Sequence, residues 1–424
     1  MSNFHKIEFK KKDIIIKKKC VLCSSHQIKQ VIDFGLTPLA NSYPSKKNKL
    51  EKYFNLSCVI CLSCGHLQLK ELINPKRMFD NYLYVSGTSK VLIEHFKNYS
   101  DKVIKKLNLS TKSPVLDIAC NDGTFLEFFK KKKFSQVIGV DPARNLKKLN
   151  NKKKIDFNTG YFSSSYANVL KKKYDAFELI TANNVFAHTP NIQDFTKGIK
   201  KILSKNGTFI IEVSYLLTVL KKKTFDTIYH EHMSYHSLRP LVRFFKSFNL
   251  EVYDFELIEA QGGSIRIYVC HKGAKKKNIR KINNQIKKEI ILNLFSKETY
   301  EKFYYKILLQ KKKLRKIITK MKIQKKNIIG YGSPAKLTTL SHVFDINLND
   351  IKVVIDDNKL KQNRFTPGKN FKIKNFKYLI KNKTKYQIII VLAWNFYDSI
   401  KKKCKQINRK FLFIKPFPKP ECEN

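Results

Sequence analysis

Tyr229-His230-Glu231-His232 sets four proton-handling side chains in a row, followed by Met233-Ser234-Tyr235-His236. Buried polar and titratable groups cost free energy unless each finds a partner, so a segment that only filled a core would not carry them. Acid-base catalysis and metal binding are the two chemistries open to such a cluster. Imidazoles at i and i+2 do not share a helical face, so the zinc arrangement with histidines at i and i+4 is absent. A neutral imidazole, with an unperturbed pKa of about 6.5, is matched to taking a proton near neutral pH.

Metal has a better home elsewhere. Cys20-Val21-Leu22-Cys23 and Cys61-Leu62-Ser63-Cys64 are C-x2-C knuckles, each able to bring two thiolates to one tetrahedral ion from a tight turn, and Gly65 suits the turn after the second. Cys20, Cys23, Cys61 and Cys64 are the expected ligands of one zinc ion, with Cys58 an off-spacing neighbour. Four thiolates leave zinc no open position for substrate, which makes the site structural. The nine cysteines as a set read as metal ligands or packing in a reducing compartment, not as disulfides.

The elements that must position the acid-base cluster follow from the pattern around it. A helical lead-in from about Ser89 to Leu107 precedes the strand-like run Pro114-Val115-Leu116-Asp117-Ile118 and the turn Ala119-Cys120-Asn121-Asp122-Gly123. A second strand, Gln136-Val137-Ile138-Gly139-Val140, ends in Asp141, about 20 residues past the turn, where α/β nucleotide folds place the carboxylate that accepts ribose hydroxyls. Phe177 to Ala182 and Gly207 to Val213 are two further strands, and alternation with helical stretches predicts a doubly wound parallel sheet. Ligands in such sheets sit beyond the carboxyl ends of the strands, so Asp117, Asp141, Asn184 and the segment after Val213 should converge on one crevice, overhung by Tyr229 to His232.

From Ile279 to about Lys326 the chain reads as lysine-rich helix with an apolar stripe of Leu292, Leu294, Phe295, Phe303, Tyr304, Ile307 and Leu308. A second nucleotide-fold pattern follows: Asn327-Ile328-Ile329-Gly330-Tyr331-Gly332-Ser333-Pro334-Ala335-Lys336, then Val353 to Asn358 and Gln387 to Asn395. The expected organisation is a zinc-binding module (1–75), a doubly wound α/β domain (76–275), a helical connector (276–326) and a small Rossmann-like domain (327–424).

A chain of 424 residues with 42% apolar residues is globular and large enough for such domains. Its formal charge of +52 would ordinarily indicate nucleic acid. Lysine triplets, however, recur along the whole chain from Lys10–Lys12 to Lys401–Lys403, arginine is scarce beside lysine, and Ile and Asn are abundant. Codon usage skewed to AT explains all three, and a nucleic-acid partner is not expected. No apolar run approaches the about 20 residues of a membrane span and Met1 to Lys6 lacks a secretory core, so a cytoplasmic protein is expected, a monomer or weak homodimer.

The order of these pieces resembles the sugar C-methyltransferases that act on nucleotide-linked 4-keto-deoxysugars in antibiotic and surface-polysaccharide biosynthesis. The resemblance covers nearly the whole chain. It rests on the zinc knuckles, Val115 to Gly123, Asn184-Val185-Phe186-Ala187-His188-Thr189-Pro190, Tyr229 to His232, and Gly262-Gly263-Ser264-Ile265-Arg266-Ile267-Tyr268. The last domain adds Gly330 to Lys336, Thr366-Pro367-Gly368 and Ala393-Trp394-Asn395.

The resemblance implies a zinc-binding N-terminal domain, a middle domain binding S-adenosylmethionine, and a C-terminal domain helping to hold the nucleotide-sugar. Asp117, Ala119, Asn121, Asp122, Gly123, Asp141, Pro142 and Asn184 would line the cofactor. Gly263, Ser264, Arg266, Tyr331, Gly332, Lys336 and Asn395 would face the substrate, with Lys336 meeting a pyrophosphate. His232 would be the base that removes the proton next to the ketone, most simply at carbon 3. Glu231 would orient it or bind a sugar hydroxyl, and Tyr229, His188 and one of Tyr82 or Tyr84 would stabilise the enolate oxygen. One departure bears on affinity: the family's turn usually reads Glu-x-Gly-Ser-Asn-Asp-Gly, whereas Asp117 stands here for Glu and Ala119-Cys120 for Gly-Ser. A methyl group then sits where glycine would let the backbone approach the cofactor. A zinc-containing RNA methyltransferase and a degenerate nucleotide-sugar binder are the competing readings.

Overall fold

A computed structural model of the chain describes residues 13–47, 51–80 and 82–424. The start of the chain, with Met1 to Lys6 and Lys10–Lys12, lies outside the described residues, as does Asn81 beside Tyr82.

The N-terminal module carries β1 (Ile14–Ile16), β2 (Ile28–Pro38), β3 (Tyr53–Cys61), β4 (Leu67–Leu69) and β5 (Glu71–Ile73). β1 and β5 pair antiparallel, while β2, β3 and β4 form a separate antiparallel sheet. The central domain carries β6 (Val115–Ile118), β7 (Val137–Asp141), β8 (Asp156–Thr159), β9 (Phe177–Asn183), β10 (Leu203–Ser214), β11 (Ser234–Tyr235), β12 (Leu250–Ile258) and β13 (Ser264–His271). Its seven-stranded sheet has the order β12-β13-β10-β9-β6-β7-β8. β6 and β7 are buried at every residue, as central strands covered on both faces must be.

This sheet departs from the all-parallel expectation at one strand. β13 runs antiparallel to both β10 and β12. The connection from β12 is the short turn Ala260–Gly262, and a link that short can only return the chain antiparallel, since a parallel crossover needs a dozen residues or more.

β11 does not join the central sheet. Immediately after the Tyr229 to His232 cluster it adds an edge to the zinc module's sheet, Ser234 opposite Gln68 and Tyr235 opposite Leu67. The acid-base loop is thus tied to the N-terminal module by backbone hydrogen bonds.

The helix Lys90–Leu107 starts where the Ser89 hydroxyl accepts from the Leu92 amide and buries Leu92, Phe96, Tyr99 and Val103 at helical spacing. The lysine-rich stretch is two helices, Ile279–Ile291 and Lys297–Ile323, parted by Asn293 in the left-handed region. The longer one buries Tyr300, Phe303, Ile307, Leu314, Ile318 and Met321. Leu292 and Leu308 fall off the expected stripe, 39% and 37% exposed. Leu308 follows Ile307 by one residue, about 100° round the helix, so only one of the two can face the core.

The C-terminal domain carries β14 (Ile328–Tyr331), β15 (Val353–Ile355), β16 (Lys372–Lys374), β17 (Ile388–Val391), β18 (Leu412–Lys415) and β19 (Glu421–Glu423) in the order β16-β15-β14-β17-β18-β19. All pairs are parallel except β18-β19. Sequence patterning found only β14, β15 and β17. Phe225 joins the three parts: its ring lies 5.9 Å from Phe34 of the N-terminal module, and 4.8 Å and 5.1 Å from Phe344 and Phe417 of the C-terminal domain.

Candidate active site

The crevice beyond the carboxyl ends of β6, β7 and β9 is built around the turn Ala119 to Gly123. Ala119, Asn121 and Gly123 adopt φ of 55°, 54° and 71°, the left-handed region that a residue with Cβ enters at a cost of roughly 1–2 kcal/mol. At Gly123 a Cβ would lie 2.3 Å from Ile155 Cδ1 and 2.4 Å from Asn150 Oδ1, so only glycine fits. Asp141 accepts from the Asn121 amide at 2.9 Å and the Ala143 amide at 2.8 Å, tying the turn to the end of β7 across Pro142. Asp117 accepts from Thr181 at 2.6 Å and Asn183 at 3.1 Å. Burial raises both carboxyls, Asp117 to about 7 and Asp141 to about 6. Asp122 accepts from Thr124 and takes the Lys153 ammonium at 3.0 Å. Asn184, with φ of 57°, donates its amide to Glu212 O at 2.7 Å.

The same turn positions the tyrosine segment. Asn121 accepts from the Ser86 amide at 2.9 Å and donates to Tyr84 O at 3.0 Å. Asn145 clasps the Tyr82 backbone at both its amide and its carbonyl.

In the acid-base loop, His232 Nδ1 donates to Thr227 O at 2.7 Å, which fixes the tautomer and leaves Nε2 as an acceptor. Nε2 takes the Tyr229 hydroxyl at 2.9 Å. Burial, then the neighbouring His188, holds the His232 pKa well below the imidazole value, so the ring is neutral at rest. His188 stacks between His232, at 5.0 Å, and Phe79, at 5.7 Å, and burial lowers it to about 4. Its Nε2 is buried without a hydrogen-bond partner among the described residues. Glu231, 3% exposed, accepts from the Tyr82 hydroxyl at 2.8 Å and from Asn41 at 2.6 Å, and burial raises it to about 7. Of the two tyrosines, Tyr82 makes the contact with Glu231, and the Tyr84 ring lies 6.2 Å from that of Tyr82. His230 faces away, against Phe54 of the zinc module.

The C-terminal domain closes the other side. Lys336 is lowered by burial and faces the carboxylate of Asp226, which accepts from Trp394 Nε1 at 2.6 Å and is wholly buried. Gly332, with φ of 91°, packs so close to Ala393 that a Cβ would meet it at 2.3 Å. Thr339 donates to Ile228 O at 2.7 Å, tying this domain directly to the acid-base loop.

Two expected substrate contacts are corrected. Arg266 is 2% exposed, with its guanidinium bonded to Glu212 at 2.6 Å and Glu256 at 3.3 Å and lying over the Tyr99 ring. An ion so committed inside the sheet is a structural tie and presents no donor to a ligand. Tyr331 turns into the core of its own domain with Tyr397 and Phe413, and its hydroxyl is bonded to Asp357 and Lys403. Gly263 abuts Thr218, Ser264 donates to Ala260 O at 3.1 Å, and Asn395 is exposed beside the inward-facing Trp394. Sequence reasoning missed Asn41, Asp226, Thr227, Asn145 and Lys361. Asp226 and Thr227 stand next to the Tyr229 cluster and could have been found by proximity, whereas nothing in the chain around Asn41 marks it.

The metal expectation fits the geometry. The Sγ atoms of Cys20, Cys23, Cys61 and Cys64 all lie within 4.8 Å of one another, with Cys20–Cys64 and Cys23–Cys61 at 3.6 Å. Thiolates about 2.3 Å from a tetrahedral zinc are about 3.8 Å apart, so the set is sized for that ion. Cys58 is buried in β3 outside the cluster. Val21 and Lys19, beside the first knuckle, are both bonded to the Gln68 side chain, opposite which β11 pairs.

Sheet order, glycine turn and thiolate cluster together define a methyltransferase that uses S-adenosylmethionine and carries a zinc-binding module. Family models match in the same order: a putative zinc binding domain over residues 20–79, a methyltransferase domain over 92–254 and a C-methyltransferase C-terminal domain over 259–418. Together these matches support an S-adenosylmethionine-dependent C-methyltransferase. It is similar to the C-methyltransferase NovU of Streptomyces niveus, 28% identical over 405 residues that make up 95% of this chain and 96% of that one. Among solved structures, the PH0226 protein of Pyrococcus horikoshii OT3 matches with a TM-score of 0.36 at 16% identity, over 47% of this chain and 98% of its own. Magnesium protoporphyrin IX methyltransferase of Synechocystis PCC 6803 matches with a TM-score of 0.33 at 12% identity, over 43% and 88%. No helix among the described residues is long and apolar enough to cross a membrane.

Proposed function

We propose that the protein methylates a carbon next to the ketone of a nucleotide-diphospho-4-keto-deoxysugar, at carbon 3, through a base-generated enolate. The observation that carries this reading is the Tyr229–His232 pair, whose imidazole is neutral and presents its basic Nε2 to a phenol. The α-proton passes to His232 by way of the Tyr229 hydroxyl, which gives its own proton to Nε2 as it receives one. The imidazolium then forms beside the enolate, so the two charges arise together in a water-poor site and each offsets the desolvation of the other. His188, and Tyr82 when Glu231 is protonated, are the donors for the enolate oxygen. S-adenosylmethionine, when bound, supplies the electrophilic methyl group. The turn Ala119 to Gly123, with Asp141, Pro142, Asp117 and Asn184, holds the cofactor, and Lys336 offers its ammonium to the substrate's phosphates.

Incubation with S-adenosylmethionine and a panel of nucleotide-linked 4-keto-sugars, with S-adenosylhomocysteine and product mass followed together, tests the reading. A methylated sugar is the expected product. Methylation of RNA with every sugar untouched would overturn it. His232→Ala is expected to bind both ligands yet stop deuterium exchange at the methylated carbon; unchanged exchange would remove His232 as the base.

A further inference from the structure

We propose that Asn41, carried into the site by the zinc-binding module, is a positioning residue for the methyl-transfer reaction that fixes Glu231 opposite Tyr82. Asn41 Nδ2 donates to Glu231 Oε1 at 2.6 Å while the Tyr82 hydroxyl donates to Oε2 at 2.8 Å, so the carboxylate is gripped on both oxygens from two different domains. The segment bearing Asn41 is itself held in place. Tyr43 donates to Ser333 O at 2.7 Å, Arg364 donates to Tyr43 O at 3.0 Å, and the Phe365 amide donates to Pro44 O at 2.9 Å. Asn41 thus reaches Glu231 from a strip of the zinc module wedged against the C-terminal domain.

The consequence is chemical. An ionised Glu231 takes the Tyr82 proton as a hydrogen bond, which leaves only the lone pairs of Tyr82 for a ligand. A protonated Glu231 donates to Tyr82 and frees the phenolic proton for an oxyanion. Asn41 offers N–H to Oε1 and so favours the ionised form, adding no charge of its own. The other titratable groups facing Glu231 are Tyr82, Lys361 of the C-terminal domain, and Tyr229 of its own segment. Asn41 therefore sets the pH at which Tyr82 changes from acceptor to donor.

The test uses the full zinc-loaded chain. pH-difference infrared spectroscopy is expected to show a buried carboxylic C=O band that is absent from Glu231→Gln. That band should titrate about one pH unit higher in Asn41→Ala and move back toward wild type in Asn41→Ser, which keeps a hydroxyl donor. Binding of S-adenosylmethionine by calorimetry should be unchanged. A band that titrates alike in wild type and Asn41→Ala would overturn the proposal, as would loss of zinc or cofactor binding in that variant, which would make its role structural. The kinetic arm, a shift of the alkaline limb of the kcat pH profile by about one unit to higher pH in Asn41→Ala without a change in KM for S-adenosylmethionine, rests on the C-methylation reading. The infrared arm needs no sugar, so the failure of either idea is told apart from the failure of the other.

Discussion

At the scale of single residues, the site stores its chemistry in buried titratable groups whose charged forms burial disfavours. Glu231 is raised from 4.5 to about 7. A carboxyl raised by folding contributes stability that is fully present below its unfolded value and is lost as pH rises through the folded one. The ligand-free protein should therefore lose stability from about pH 5 to about pH 8, with Glu231 responsible for up to about 3 kcal/mol. Asp117 and Asp141 act in the same direction. Urea unfolding of Glu231→Gln is expected to show a shallower decline; a slope equal to wild type would mean that Glu231 is not buried in solution. Tyr229→Phe keeps the ring and removes the hydroxyl that lies 2.9 Å from His232 Nε2. Its kcat should fall on the order of 100-fold or more, with S-adenosylmethionine binding retained, as measured by single-turnover kinetics.

At the scale of elements, the cofactor turn is where sequence and geometry conflict most. Ala119 occupies a left-handed position at φ 55°, a conformation glycine adopts freely. Ala119→Gly should relieve strain of about 1 kcal/mol and tighten S-adenosylmethionine binding, read by thermal melting and calorimetry. Gly123→Ala should do the reverse and abolish cofactor binding, because its methyl group would collide with Ile155 and displace Asn150, whose side chain holds Asn121 O at 2.7 Å. Equal cofactor affinity in both variants would detach the turn from the cofactor. The sequence made this turn legible because a buried strand running into a glycine turn and a helix has few other uses. The hairpin that reverses β13 escaped notice because an apolar run carries no record of direction.

Across the whole molecule, the zinc module is built into the active site. β11 completes its sheet directly after His232, Gln68 of that sheet holds the first knuckle, and Asn41 reaches Glu231. Stripping zinc with a chelator, followed by its release in a colorimetric assay, should abolish methyl transfer in step with metal loss. S-adenosylmethionine binding should persist, because Asp117, Asp141 and Gly123 belong to the central sheet. Simultaneous loss of cofactor binding would show instead that zinc stabilises the entire chain. The Phe225 hub, with Phe34, Phe344 and Phe417 around it, explains why the three parts share one continuous core.

The amino-acid sequence by itself determined the four-cysteine cluster, the turn Ala119 to Gly123 after the first strand of the central sheet, and the concentration of proton-handling groups at Tyr229 to His232. Each is a local pattern in which neighbouring residues meet the same ion or the same turn, so spacing along the chain carries the information. Only the tertiary structure decided that Arg266 and Tyr331 serve structure, that Tyr82 rather than Tyr84 meets Glu231, and that Asn41 completes the grip. Those outcomes depend on side chains that meet far apart in sequence, 54 positions for Arg266 with Glu212, 72 for Tyr331 with Lys403 and 190 for Asn41 with Glu231, where the competition between burial and pairing is settled by packing and leaves no periodic trace in any one segment.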